Sequence, residues 1–247
     1  MTRIGIAVAG GLMLFATSAV AQDDNIVFGI YYRCSQAQEA QADEVVRGTL
    51  GPIAQKHVDA GHLTGWLWLT HSQGGAWRRL FATTGTDMGQ MMDVRQQIVE
   101  EFTSEHADAA AQLGAACPGH DDYIWTGVSN SAGAGTDTVG GASLSAYHSC
   151  DRSREGRADQ IFTEVLAPLY QKHQDMGHIA SWAFYAHRVG GIFRRLETFS
   201  GADHMTLLNM QNAIYQEANE TNPLAMQEFN QICSWHADYM WENTSQN

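Results

Sequence analysis

The residues able to carry chemistry in this chain come in matched sets. His57, His62, His71 and His120 recur as His173, His178, His187 and His236, and Arg78-Arg79 recurs as Arg194-Arg195. Trp66 recurs as Trp182, and Cys34 and Cys117 recur as Cys150 and Cys233. Imidazole suits acid–base work near neutral pH and the ligation of metals or haem. A guanidinium can hold a carboxylate in a bidentate pair, and an indole offers a broad apolar wall. No signature closes around these groups. The chain has no His-Glu-x-x-His, no Gly-x-Ser-x-Gly elbow and no Cys-x-x-Cys, and its Gly-rich stretch lacks a phosphate-loop Lys. The spacing therefore assigns no metal-ligand set.

The matching has a cause. Residues 31–125 and 147–241 align at a constant offset of 116 positions, as from Cys34 to Cys150, without insertion or deletion. His57-x-Asp59-x-Gly61-His62 answers His173-x-Asp175-x-Gly177-His178, and His120-x-Asp122-Tyr123-x-Trp125 answers His236-x-Asp238-Tyr239-x-Trp241. A fixed period means one unit duplicated. We read module one as 25–128, a Ser/Gly/Ala-rich linker as 129–143 and module two as 144–247.

Residues 1–21 combine Arg3, an apolar run from Ile4 to Phe15 and a closing Ala19-Val20-Ala21. That is the layout of a signal peptide, so the expectation is export, to periplasm or medium, with a mature start at Gln22. With 14 basic against 27 acidic residues, the chain disfavours nucleic acid and anionic membrane surfaces as partners. Four cysteines in an exported protein are normally paired. Of the three connectivities, the duplication favours Cys34–Cys117 and Cys150–Cys233, one bridge per module.

Each module reads as strand, helix, two strands, helix, strand. Asn25–Cys34 is rich in β-formers, and Glu39–Ala60 carries apolar residues at helical spacing with Pro52 inside it, to be kinked or split there. Leu63–Ser72 and Ala76–Thr84 flank Gly74-Gly75, a hairpin turn in which both glycines can take positive φ. Thr86 and Asp87 cap a second helix running to about Leu113, and Asp122–Gly127 is the last strand. This βαββαβ order is the ferredoxin-like unit, with strand order 4-1-3-2.

The hairpin register places Ser72 opposite Trp77, Thr70 opposite Arg79 and Trp68 opposite Phe81. These residues share a face with Trp66, while Leu67, Leu69, Leu80 and Ala82 share the other. We expect the aliphatic face to pack on the helices and the aromatic and Arg face to line the space between paired sheets. Trp66, Arg79, Trp182 and Arg195 are thus the ligand-binding candidates, for a small aromatic or apolar molecule, anionic ones included. The competing expectation is that these aromatics only fill the barrel and each Arg pairs with a nearby acid. His71 and His187 are the catalytic candidates. Pairing of the modules would bring His71 towards His236 and His187 towards His120.

Two tandem ferredoxin-like modules resemble a fused form of the dimeric α/β-barrel superfamily, and Gly61-His-Leu-Thr-Gly-Trp66 is similar to its NIPSNAP and EthD-like branches. The resemblance implies a closed barrel with helices outside. For activity it implies a cofactor-light, monooxygenase-like enzyme or a haem-dependent oxidoreductase, leaving haem or a metal ion open as cofactor. A non-catalytic structural, interaction or stress-related module is the alternative.

Overall fold

A computed structural model describes residues 25–131 and 141–246. The expected leader and most of the expected linker lie outside the described residues. Module one comprises β1 (Ile26–Arg33), α1 (Glu39–Val45), α2 (Gly51–Asp59), β2 (Gly65–Gly74), β3 (Arg79–Gly85), α3 (Met88–Ser104), α4 (Ala107–Ala116) and β4 (Gly119–Asn130). Module two repeats them as β5 (Ala142–Ser149), α5 (Glu155–Ile161), α6 (Ala167–Asp175), β6 (Ser181–Val189), β7 (Arg195–Gly201), α7 (His204–Thr221), α8 (Pro223–Ile232) and β8 (Trp235–Gln246).

The strands close into one antiparallel barrel ordered β1-β3-β2-β8-β5-β7-β6-β4. Within each module the order is the expected 4-1-3-2. The two seams between modules are β2 with β8 and β4 with β6. Closure leaves no sheet edge unpaired.

The hairpin register is as read, with Trp68 opposite Phe81 and Thr70 opposite Arg79. The glycines serve a different purpose. Gly74 has φ +115 whereas Gly75 is not in the positive-φ region, so the pair is not a turn with both residues left-handed. A Cβ on Gly74 would lie 2.3 Å from the Asp238 carbonyl oxygen, and one on Gly75 would lie 2.2 Å from the Tyr239 hydroxyl. That hydroxyl accepts the Ala76 N–H at 3.1 Å. In the mirror position, Gly190 (φ +137) and Gly191 make room for Tyr123. Each Gly-Gly pair is a notch that seats a tyrosine of the other module.

The first helix splits as Pro52 requires. A wider π-turned segment, Val46–Leu50, separates α1 from α2, and Pro52 falls in the first turn of α2, where its missing N–H costs least. The second helix is corrected: it breaks at Glu105-His106 into α3 and α4 instead of running unbroken to Leu113. The signal was present in the second copy, where Pro223 opens α8. Asp87 caps α3 by accepting the Gln90 N–H at 2.7 Å. Strand also extends into the segment expected as linker, because Asn130 pairs with Ala183 and Ala142 pairs with Glu242. No helix of the described residues is long and apolar enough to cross a membrane.

Three apolar clusters hold the molecule together. One lies between sheet and helices in each module, and the third fills the barrel with Tyr31, Trp77, Tyr123, Trp125, Tyr147 and Tyr239, among others. The bridges Cys34–Cys117 and Cys150–Cys233 are formed, each tying the end of a first strand to the end of a fourth helix. Each spans a sequence separation of 83. Closing a loop of that length restricts the unfolded chain by about 4–5 kcal/mol in the chain-entropy model. Replacing Cys34 and Cys117 together by Ala should therefore lower the unfolding free energy by roughly 3–5 kcal/mol, read by urea titration, with the barrel's circular dichroism retained.

Candidate functional site

Along β2 and β3 the faces are the reverse of those expected, whereas Trp77, which precedes β3, fills the barrel as expected. Trp66, Trp68 and Phe81 pack against the helices, while Leu69, Leu80 and Ala82 line the barrel. The physical reason is hydrogen bonding, since a buried indole N–H or guanidinium needs an acceptor. The helices supply those acceptors. The Trp66 indole donates to Gln55 Oε1 at 2.8 Å, and the Trp68 indole donates to Asp43 Oδ1 at 2.8 Å.

Arg79 holds Asp43 in a bidentate pair (2.7 and 2.8 Å) and reaches Glu39 at 3.2 Å. Arg195 does the same with Asp159 and Glu155. Trp182 reaches Gln171 at 3.3 Å. The four ligand-binding candidates therefore pin helices to the sheet and do not face a space between sheets. Arg79→Ala should destabilise the fold by about 3 kcal/mol, because Asp43 loses its counter-charge while Glu39 keeps Arg78, and should leave ligand binding in the cleft described below unchanged. Thermal melting and a binding titration on the same variant separate the two effects.

The catalytic candidates are wall residues at the seams. His71 Nδ1 accepts from Arg78 and its Nε2 donates to the Gly74 carbonyl at 3.1 Å, so both nitrogens are engaged. His187 Nδ1 accepts from Arg194, while its Nε2 faces the Gly190 carbonyl without reaching hydrogen-bond geometry. Burial holds both imidazoles below their ordinary pKa. Their strand partners are Trp241 and Trp125, not His236 and His120. His236 pairs with Asp238 at 2.9 Å, and His120 lies 3.6 Å from Asp122. The expected two-histidine juxtapositions do not form.

Open space lies elsewhere, in module one between the outer face of the sheet and α3. Two adjoining chambers of about 80 and 200 Å³ share Phe28, Ile30 and Arg95. The smaller is walled by Phe81, Ile98 and Phe102, with Tyr32 and Thr83 as its polar groups besides Arg95. Module two contributes Val189 to the larger. Three of the chain's exposed large apolar side chains, Met92, Val99 and Val189, also line these chambers.

Arg95 is the sole Lys or Arg of α3 and of both linings. It makes one bond, Nη2 to Asp122 Oδ2 at 3.1 Å, so most of its five donors are free for an acidic group. Burial, and next the Asp122 carboxylate, push the Tyr32 phenol up, keeping it a hydrogen-bond donor. The chambers are smaller than pockets for drug-sized ligands, and their linings hold no imidazole or thiolate. The cleft as it stands does not fit a haem.

The same space in module two holds larger rings and a buried carboxylate, although Phe28, Ile30 and Phe102 there become the smaller Leu144, Ala146 and Ala218. Val46, Ala54, Thr83 and Val99 are replaced by Phe162, Tyr170, Phe199 and Tyr215, each of them larger. The Phe162 and Phe184 rings stack at 3.8 Å, and Tyr170 lies 5.3 Å from Phe199. Glu197 replaces Phe81 and Gln211 replaces Arg95. Glu197 is 1% exposed; it accepts from Tyr170 and, at 2.7 Å, from Tyr215, and it lies 3.3 Å from His148 Nε2.

Burial alone would raise the Glu197 carboxyl, but the His148 bond and charge and the two tyrosine bonds outweigh it, and the group is held below its ordinary pKa. A carboxylate with a depressed folded pKa stabilises above the unfolded value of about 4.3 and loses that contribution as pH falls through the folded one. Wild-type unfolding free energy should therefore fall more steeply than that of Glu197→Gln as pH drops below about 4.3, measured by denaturant titration across pH.

The sequence carried the signal for the cleft. It lay in the differences between copies, Val99 against Tyr215 and Arg95 against Gln211, and not in the matching residues.

The chain has the dimeric α/β-barrel fold, with both halves in one polypeptide. Among solved structures it is similar to an anthrone oxidase-like protein, at 9% identity and TM-score 0.57 over 90% of this chain and 92% of the other. It is also similar to a protein from Fusobacterium nucleatum provisionally named a monooxygenase (9%, TM-score 0.58, over 90% and 94%). A protein from Lactobacillus acidophilus of the same provisional name matches at 5% and TM-score 0.54, over 90% and 95%. No family model and no curated protein matches the chain.

Proposed function

We propose that this is an exported protein that takes a small, flat, largely apolar molecule bearing one acidic oxygen into the module-one cleft, and that it acts there as a monooxygenase-like enzyme. The observation that carries the reading is the contrast between modules: an apolar cleft with one under-used guanidinium in the first, and a buried carboxylate bonded by tyrosines in the second. Phe28, Phe81 and Phe102 give a flat ligand broad contact, while Arg95 and the Tyr32 hydroxyl meet its acidic group.

The fold's likeness to an anthrone oxidase-like protein and to two proteins provisionally named monooxygenases supports an oxygenase role. An expected leader and two disulfides support export. The rest of the ligand decides whether oxygen chemistry follows, and a protein that binds without turnover corresponds to the non-catalytic alternative.

The test uses 2-naphthoate, a small flat apolar carboxylate whose fluorescence changes on burial. Arg95→Gln, which installs the module-two residue, should weaken binding about ten- to hundredfold, the roughly 1.5–3 kcal/mol of a hydrogen bond to a charged group. Val99→Tyr should abolish it by filling the cleft. Oxygen uptake with small phenols, present in wild type and absent in Val99→Tyr, would establish the enzyme. Equal naphthoate binding by all three proteins would refute the site.

A further inference from the structure

The most strictly repeated motif in the chain, His-x-Asp-x-Gly-His, takes no part in the cleft. In each module it closes the first helix. Gly61 and Gly177 take φ +73 and +74, and the backbone N–H groups of His62 and His178 return to the carbonyls of His57 and His173 at 2.8 and 2.9 Å. That cap is made by backbone atoms and a left-handed glycine. Asp59 and Asp175 are held by Gln55 and Gln171 at 2.8 Å each. Lys56 pairs with Glu101 and Lys172 with Glu217, so the flanking charges are neutralised locally. The other repeated residues of the motif thus each have a partner or a backbone role, and the two imidazoles are left to pair with one another.

Those imidazoles face one another through the same atom in both modules. His57 Nδ1 and His62 Nδ1 are 3.4 Å apart, and His173 Nδ1 and His178 Nδ1 are 3.0 Å apart. Metal–imidazole bonds of about 2.0–2.1 Å meeting at roughly 90–110° place two nitrogens about 2.9–3.4 Å apart. Both observed separations fall within that bite. The ring planes are inclined by 41° and 38°, so a turn about the Cβ–Cγ bonds converges the lone pairs.

We propose that each module carries a two-imidazole site for a divalent transition-metal ion, formed by His57 with His62 and by His173 with His178. Copper(II) should bind most tightly, following the order of divalent affinities. Among the described residues no group of three or more metal-ligating side chains clusters. Each ion is therefore held by two protein ligands, exchanges readily and keeps positions open to water. The acidic chain, with net charge −13, favours cations in general, and the imidazole pairs give them a place to dock.

The experiment is titration of the mature, disulfide-bonded protein with copper(II) chloride, followed by calorimetry and electron paramagnetic resonance. The expected result is one ion per module with nitrogen superhyperfine structure. His62→Ala and His178→Ala should each remove one ion and the double variant both, with melting curves confirming that all three remain folded. Should either variant unfold, His62→Phe and His178→Phe keep a ring at the helix end and serve instead. No stoichiometric uptake by wild type would leave these as hydrogen-bonded imidazole pairs only, and uptake unchanged in the double variant would place the copper elsewhere. Either result overturns the proposal.

Discussion

Everything in this molecule depends on the pairing of β2 with β8 and of β4 with β6. A four-stranded ferredoxin-like sheet has two exposed edges and one large apolar face with no helix to cover it. Joining two such sheets edge to edge pairs the backbone of both edges and buries both inner faces at once. The seams are fixed by shape, because Tyr123 and Tyr239 each enter a notch that only glycine leaves open. The barrel interior then fills with rings, Trp77 stacking on Tyr239 at 5.0 Å and the Trp125 indole donating to the Tyr31 hydroxyl at 3.1 Å.

A filled interior moves function outward. Between the sheet and its helices, the space left for a ligand is set by how each helix is pinned. Arg79 and Arg195 perform that pinning with paired carboxylates of α1 and α5. Because the first helix is anchored by charge and by Trp68, the second helix face can open a gap without loss of the fold. In module one α3 leaves such a gap above Phe28 and Phe81. In module two, Tyr215 on α7 and Tyr170 on α6 close it around Glu197.

Much of the architecture was legible because it rests on local rules: the duplication, strand order, hairpin register, Asp87 cap, Pro52 break and disulfide pairing all follow from spacing and turn chemistry. The site was not. Alternation along β2 and β3 separates two faces but does not say which points inward, and ranking them by hydrophobicity ignored where the indole and guanidinium N–H groups find acceptors. Asp43 and Glu39 are far from Trp68 and Arg79 in sequence, so those partners appear only once α1 lies on the sheet. Attention to matching residues also favoured scaffold, since both copies need the same pins. Arg95 corresponds to Gln211 and so falls outside the matching set.

The Glu197 cluster shows what covalent fusion permits. In an assembly of two identical chains, one codon change alters both halves together, so a carboxylate placed under one sheet would be placed under the other as well. Here the halves are inherited separately along a single polypeptide. Residue 81 is Phe while residue 197 is Glu, and the partners Tyr170, Tyr215 and His148 gather in one half alone. The barrel thereby has a direction: the space under one sheet holds an apolar cleft, and the space under the other holds a buried carboxylate with its own set of partners.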